Sequence, residues 1–241
     1  MGLNANKIKS NNTNRVKQEP LDPGTYPARL VQVLDLGVQP QKPFKGEEKK
    51  PAHEIMLTYE FLDEFCVDEK GEVDEDKPRW LSETMPFRSL MADMAKSTKR
   101  YRALDPNEDH EGDFTQLTTT ACNVTVVNNE SGGTVYNNVG NVSAMRPKDA
   151  QKAPELKNPC KVFVLDEPDM EIFLSLPQWL QDKIKGNLEF EGSSLQKALE
   201  APQKADKPAP KGKPKVEEED DVDDVVEGPE TDDRPEDDIP W

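Results

Sequence analysis

Charge is segregated along this chain, and the segregation limits how much of it can fold. Between Val216 and Trp241 there are 14 acids and a single base, Arg234. A run of like charges repels itself and has little apolar surface to bury, so residues 216–241 are expected to form a disordered acidic tail. That tail carries −13 of the formal net charge of −17, and the first 215 residues hold 30 bases and 34 acids. Just before it, residues 200–215 contain "APQKADKPAPKGKPK", a Pro- and Lys-rich composition that predicts an extended linker. Residues 1–19 make an Asn-rich arm with four bases and one acid, also expected to be flexible. The core must therefore come from residues 20–199.

Within that span the patterning is mostly that of strands. "TYPARLVQVLDLGVQ" (25–39) is rich in β-branched and apolar residues. "HEIMLTYEFLDEF" (53–65) alternates, with Ile55, Leu57, Tyr59 and Phe61 on one side and Glu54, Thr58 and Glu60 among those on the other. Tyr59 and Phe61 are thus expected in the core. "PRWLSETMPF" (78–87) reads as a third strand, and "ACNVTVVNN" (121–129) and "TVYNNVGNVSAM" (134–145) flank "ESGG", a hairpin turn. Between the third and fourth strands, Leu90, Met91, Met94, Ala95, Thr98, Tyr101 and Leu104 recur at helical spacing over 88–106, with Pro106 just beyond the end.

Three strands, a helix and two strands is the order of a mainly β, five-stranded OB-fold barrel. A further helix is predicted over 175–187, with Ser175 as its cap, Pro177 in its first turn and Gly186 at its close. Its stripe of Leu176, Leu180 and Ile184 predicts packing on the barrel.

No catalytic or cofactor constellation is visible: there is no Gly-rich phosphate loop, no GxSxG and no HExxH. The acids of "VDEKGEVDEDK" (67–77) lack the spacing of a calcium loop. Cys66, Cys122 and Cys160 are far apart, and with only His53 and His110 they do not compose a zinc site. Neither a membrane span nor a secretory leader is apparent, and Asn6 stands where a myristoylation motif needs Ser or Thr. These features predict a soluble intracellular protein that is not an enzyme and uses no metal or cofactor.

Binding of single-stranded nucleic acid needs cations for phosphates and aromatics for bases. The loop "GVQPQKPFKGEEKKP" (37–51) has both, with Lys42, Lys45, Lys49 and Lys50 around Phe44. Phe44 is the best stacking candidate, because a Pro-rich loop offers it no regular core position. Arg79 and Trp80 on the third strand, Tyr136 near the hairpin turn, and the basic residues Arg88, Lys99 and Arg100 of the helical segment complete the candidate DNA-binding set. The body is too weakly basic for a tight duplex binder.

The last residues, "EDDIPW", resemble the acidic tip of bacterial single-stranded DNA-binding proteins, in which Asp residues precede Ile-Pro and a terminal Phe; Trp241 stands in place of that Phe. The body, through "YPARLVQVLDLGVQPQKPF", "KPRWLSETMPF", "KSTKRYRALDP" and "LPQWLQDKIKGNLEFEG", resembles instead the single-stranded DNA-binding proteins of tailed bacteriophages. The resemblance implies an OB-fold that coats single strands in the cytoplasm of a bacterial host during phage DNA replication, recombination and repair. It also implies that Asp237, Asp238, Ile239, Pro240 and Trp241 engage a polymerase, helicase or recombinase, while the polyanionic tail competes with DNA for the groove. Two rival readings are an acidic adaptor or DNA mimic, which leaves the basic loop unexplained, and a nuclease, which needs metal-binding carboxylates clustered in the fold.

Overall fold

The computed structural model describes residues 18–201. The acidic tail, most of the Lys-rich linker and most of the N-terminal arm lie outside that range, as do the tip residues Asp237, Asp238, Ile239, Pro240 and Trp241.

Strand β1 (Gly24–Gln39) is the axis of the molecule. It pairs along most of its length with β2 (Ala52–Val67), which pairs in turn with β3 (Val73–Pro86). On its other side, Gly24–Arg29 pairs with β4 (Ala121–Ser131), which forms a hairpin with β5 (Thr134–Ala144). Leu30 then bonds the 119–120 turn, and Gln32–Leu34 takes up the short parallel strand β6 (Lys161–Phe163). The order is β3-β2-β1-β4-β5 with β6 beside β1. Because β3 and β5 share no ladder, the sheet is open and six-stranded, antiparallel except at β6. The closed five-stranded barrel expected from the sequence is not what the backbone forms.

Bulges let β1 serve two cores. Val31 and Leu36 are extra residues relative to β2, at the register breaks Leu30/Gln32 and Asp35/Gly37. One extra residue reverses the side-chain phase, so Leu30 and Val33 both face an inner core with Ile55, Leu57, Tyr59 and Phe61. Leu34 and Leu36 face the other way with Met56, into a second core built from Phe163, Phe173, Leu176, Leu180, Ile184 and Leu195. Each such fully buried large apolar side chain contributes roughly 1.5–3 kcal/mol. The near-continuous apolar run of β1 is thus the signature of a strand covered on both faces.

The helices differ from the sequence reading in informative ways. Helix α1 spans only Lys96–Leu104. Residues 88–95 are a chain of turns, and Met91 and Met94 are 91% and 63% exposed rather than part of a buried stripe. After β5 come the single turn α2 (Pro147–Ala150), β6, and α3 (Met170–Leu174), α4 (Gln178–Lys185) and α5 (Ser194–Glu200). Leu180 and Ile184 of α4, with Leu176 just before it, are buried in the second core, as their spacing predicts. Ser175 does not cap this helix: it closes α3, its hydroxyl donating to Ile172 O at 2.7 Å, and Pro177 precedes α4. The chain crossing to this lobe is tied down by Arg29, which donates to Pro154 O (2.7 Å), Ala153 O (3.0 Å) and Thr119 O (2.6 Å).

Helix α1 fills the seam between β3 and β5 through one buried ion pair. Arg100 Nε and Nη2 meet Glu83 Oε1 and Oε2 at 2.7 and 3.1 Å, and Nη2 also reaches Gly140 O on β5 at 3.4 Å. Glu83 accepts a further bond from the Tyr59 hydroxyl at 2.8 Å, and Lys96 Nζ lies 3.3 Å from it. Removing one partner of such a pair strands the other charge without water. Arg100→Met alone is expected to cost about 3–5 kcal/mol in urea unfolding, and adding Glu83→Leu to recover part of that loss. Equal losses for the single and double variants would exclude the stranded charge as the cause.

Candidate nucleic-acid interface

The candidate site begins with a two-residue turn. In the loop joining β1 to β2, Phe44 and Glu47 exchange backbone hydrogen bonds of 2.9 Å in both directions. The residues between them, Lys45 and Gly46, have φ of 50° and 85°, the left-handed pair of a type I′ hairpin. Gly46 suits that geometry, and Lys45 accepts a modest backbone strain to stand at the tip. The turn places two ammonium groups near the Phe44 ring: Lys49 Nζ lies 4.8 Å and Lys45 Nζ 5.3 Å from its centroid. Phe44 is half-buried but belongs to neither core, and Lys42, Lys45, Lys49 and Lys50 are exposed.

The same end of the sheet carries a second segment. Because Glu54 on β2 pairs with Pro86 on β3, the chain leaving β3 emerges beside the loop that enters β2. Phe87 N donates to His53 O at 2.6 Å, and its ring meets those of His53 and Phe114 edge-on at 5.7 Å. Arg88 is exposed, and its N–H donates to Ser97 Oγ at the start of α1. Lys99 is exposed on α1. The hairpin and the β3–α1 connection therefore bring Phe44, its lysines and Arg88 to one end of the sheet, with Lys99 on the helix that follows.

Other candidates lie elsewhere. Tyr136 is half-buried opposite Asn129 near the Gly132-Gly133 turn, at the other end of the sheet from Phe44. The Asn residues around it are structural: Asn137 Nδ2 donates to Leu21 O and to Asn128 Oδ1, and Leu21 N donates back to Asn137 Oδ1. Trp80 is half-buried opposite Glu60, on the outer face of β3 that it shares with Ser82 and Thr84. Arg79 is half-buried near Tyr26, whose hydroxyl is raised above its ordinary value by burial and by Glu64 and Asp22, against the pull of Arg79. Arg100 is the correction within the set. It is 3% exposed and committed to Glu83, so its guanidinium does not face a ligand.

The outer face of β1 and β2 is also taken. Besides the second core, Glu60 is buried there and accepts bonds from Lys157 N, Asn158 N and Asn158 Nδ2 at 2.7, 3.1 and 2.7 Å. Of the acids in 67–77, Asp68 ties its own loop by accepting from Lys70 N and Glu72 N. Cys122 is buried near Glu83, and burial pushes its thiol up to about 12. Among the described residues no helix is long and apolar enough to cross a membrane. Neither a scan against protein-family models nor a search among curated proteins returns a match.

His53 and Asp35 clamp the end of the sheet from which both basic segments leave. His53 Nε2 donates to Asp35 Oδ1 at 2.6 Å, and Gly37 N and Leu165 N donate to the same carboxylate. This bond raises the His53 imidazole above its ordinary value against the opposing effect of burial, and Glu189 and Asp166 add to the rise. Burial alone lifts the Asp35 carboxyl, but the bonds it accepts outweigh that and hold it below the usual range. A raised His contributes stability below its unfolded value that is lost as pH rises through the folded one. A depressed Asp contributes stability that is lost as pH falls through its own folded value. The clamp is therefore expected to be strongest at about pH 5–6. Proton NMR of the His53 ring should give a titration midpoint above about 6.5 that falls in Asp35→Asn. A midpoint that ignores this substitution would remove the pair.

Proposed function

We propose that this chain binds single-stranded DNA without strong sequence preference, reading phosphates with the lysines of the β1–β2 loop and stacking a base on Phe44. The observation that carries the proposal is the hairpin itself: an aromatic ring outside both cores, held by a tight turn at the tip of a loop with four exposed lysines. Cations fixed beside an aromatic face suit a ligand that alternates phosphates with flat bases. We further read the sheet as an OB-type barrel opened between β3 and β5, since β3-β2-β1-β4-β5 is the order met on walking around such a barrel. The β1–β2 loop is then the loop with which OB folds hold oligonucleotides.

The sequence resemblance sets the role: coating single strands during phage DNA replication, recombination and repair. The acidic tail, with Ile239, Pro240 and Trp241 at its tip, then recruits a polymerase, helicase or recombinase and competes with DNA for the basic loop. Arg88 and Lys99 extend the phosphate track, whereas Arg100 has no part in it.

Fluorescence anisotropy of labelled oligo-dT against a duplex of equal length tests this reading. Preference for the single strand is expected, weakening linearly on a log–log salt scale. Phe44→Ala should cost about 1–3 kcal/mol of that affinity, and deletion of 216–241 should tighten binding. If neither the whole chain nor the truncated one binds oligo-dT, the acidic adaptor takes its place.

A further inference from the structure

The β3–α1 connection carries the most exposed large apolar side chains near the basic end of the sheet. Met91 is 91% exposed, Met94 63% and Phe87 39%. Nothing in the fold needs them there. Leu90, from the same segment, packs against the inner core, and Arg102 holds the segment from behind by donating to Leu90 O at 3.2 Å and pairing with Asp93 at 2.9 Å. The turns are fixed as well, Ala92 N donating to Ser89 O and Ala95 N to Ala92 O, each at 2.9 Å. An ordered segment thus holds two flexible thioethers in water, with exposed Arg88 at its start and exposed Lys99 on the helix that follows it.

We propose that Met91 and Met94 form a second base-contacting surface, on which bases next to the one held by Phe44 lie against thioether side chains. This rests on the single-strand reading above. Charge complementarity selects the occupant. Arg88 and Lys99 stand beside the two methionines, Asp93 is paired with Arg102, and the four lysines of the neighbouring hairpin outnumber its Glu47 and Glu48, so phosphate-binding groups adjoin an apolar centre. A single strand presents that pattern in reverse, phosphates outside and bases within. Methionine suits such a contact because its unbranched, polarizable chain adapts to any base. The contact adds no phosphate neutralisation, so its energetic signature differs from that of a lysine.

The test uses the full-length chain and labelled oligo-dT. Met91→Gln/Met94→Gln should weaken binding roughly fourfold or more per side chain, since one buried methylene is worth a factor of about four. It should leave the slope of log affinity against log salt unchanged, whereas Lys99→Gln should reduce that slope by about 0.7. Both methionines are exposed, so the unfolding midpoint should not move. In a parallel experiment, limited peroxide oxidation read by peptide mass spectrometry should modify Met91 and Met94, and saturating oligo-dT should protect them. The buried Met56 and Met85 serve as internal references.

If oligo-dT binds but neither protects these residues nor notices the substitutions, the inference is overturned while the Phe44 reading stands, and the patch belongs to a protein partner. If Met91 resists peroxide without DNA and becomes reactive on deletion of 216–241, the occupant is the chain's own tail and the inference is likewise overturned. If the native chain does not bind oligo-dT at all, the single-strand reading fails and takes this inference with it.

Discussion

Every part of the structure depends on β1 being shared. Its backbone is bonded on one side by β2 and on the other by β4, the 119–120 turn and β6 in succession. Its side chains are divided between two cores by the bulges at Val31 and Leu36. A regular strand would have sent alternate residues strictly to opposite faces. The bulges instead assign Leu30 and Val33 to one core and Leu34 and Leu36 to the other. The sheet and the C-terminal lobe are therefore held together through this strand.

A second constraint follows from leaving the sheet open. Strands β3 and β5 run near each other without forming a ladder, and helix α1 packs against both, tied to them by the Arg100–Glu83 pair and by the bond from Arg100 to Gly140 O. Burial of two charges is tolerated because their hydrogen bonds are made, with the Tyr59 hydroxyl and Lys96 serving Glu83 and the Gly140 carbonyl and Asn141 Oδ1 serving Arg100. Among the described residues, no buried side-chain nitrogen or oxygen lacks a partner. Burial and the adjacent Glu83 keep the Tyr59 hydroxyl protonated by pushing it well above its ordinary value, so it can donate to that carboxylate.

The two cores also shape what is left for a ligand. With the inner face of the sheet filled and the outer face of β1 and β2 covered by α3–α5, the exposed cations of the candidate site stand at the end of the sheet. There the β1–β2 hairpin and the β3–α1 connection emerge together, because Glu54 is paired with Pro86 and His53 with Phe87. The Asp35–His53 clamp and the aromatic contacts of Phe87 fix the point at which the β3–α1 connection leaves the sheet.

Much of this was legible from local pattern. The five main strands follow from β-branched alternation, the Gly132-Gly133 turn from its glycines, and α4 from its stripe, since these signals live within a few residues of one another. Core positions for Tyr59 and Phe61 were readable for the same reason. By contrast, the 88–106 periodicity suggested one long helix, but only Lys96–Leu104 is helical. The first half is held as turns by its own backbone bonds and by Ser97, Thr98 and Arg102 of the helix that follows, and Met91 and Met94 stay in solvent. Arg100 looked like any basic residue of a basic helix, and only Glu83, on strand β3, turned it inward. By itself, the sequence determined where charge, strand and turn could lie, because those depend on near neighbours and composition. Tertiary structure alone decided that the sheet stays open, that β1 serves two cores and which cations remain exposed, because each depends on a partner distant in the chain.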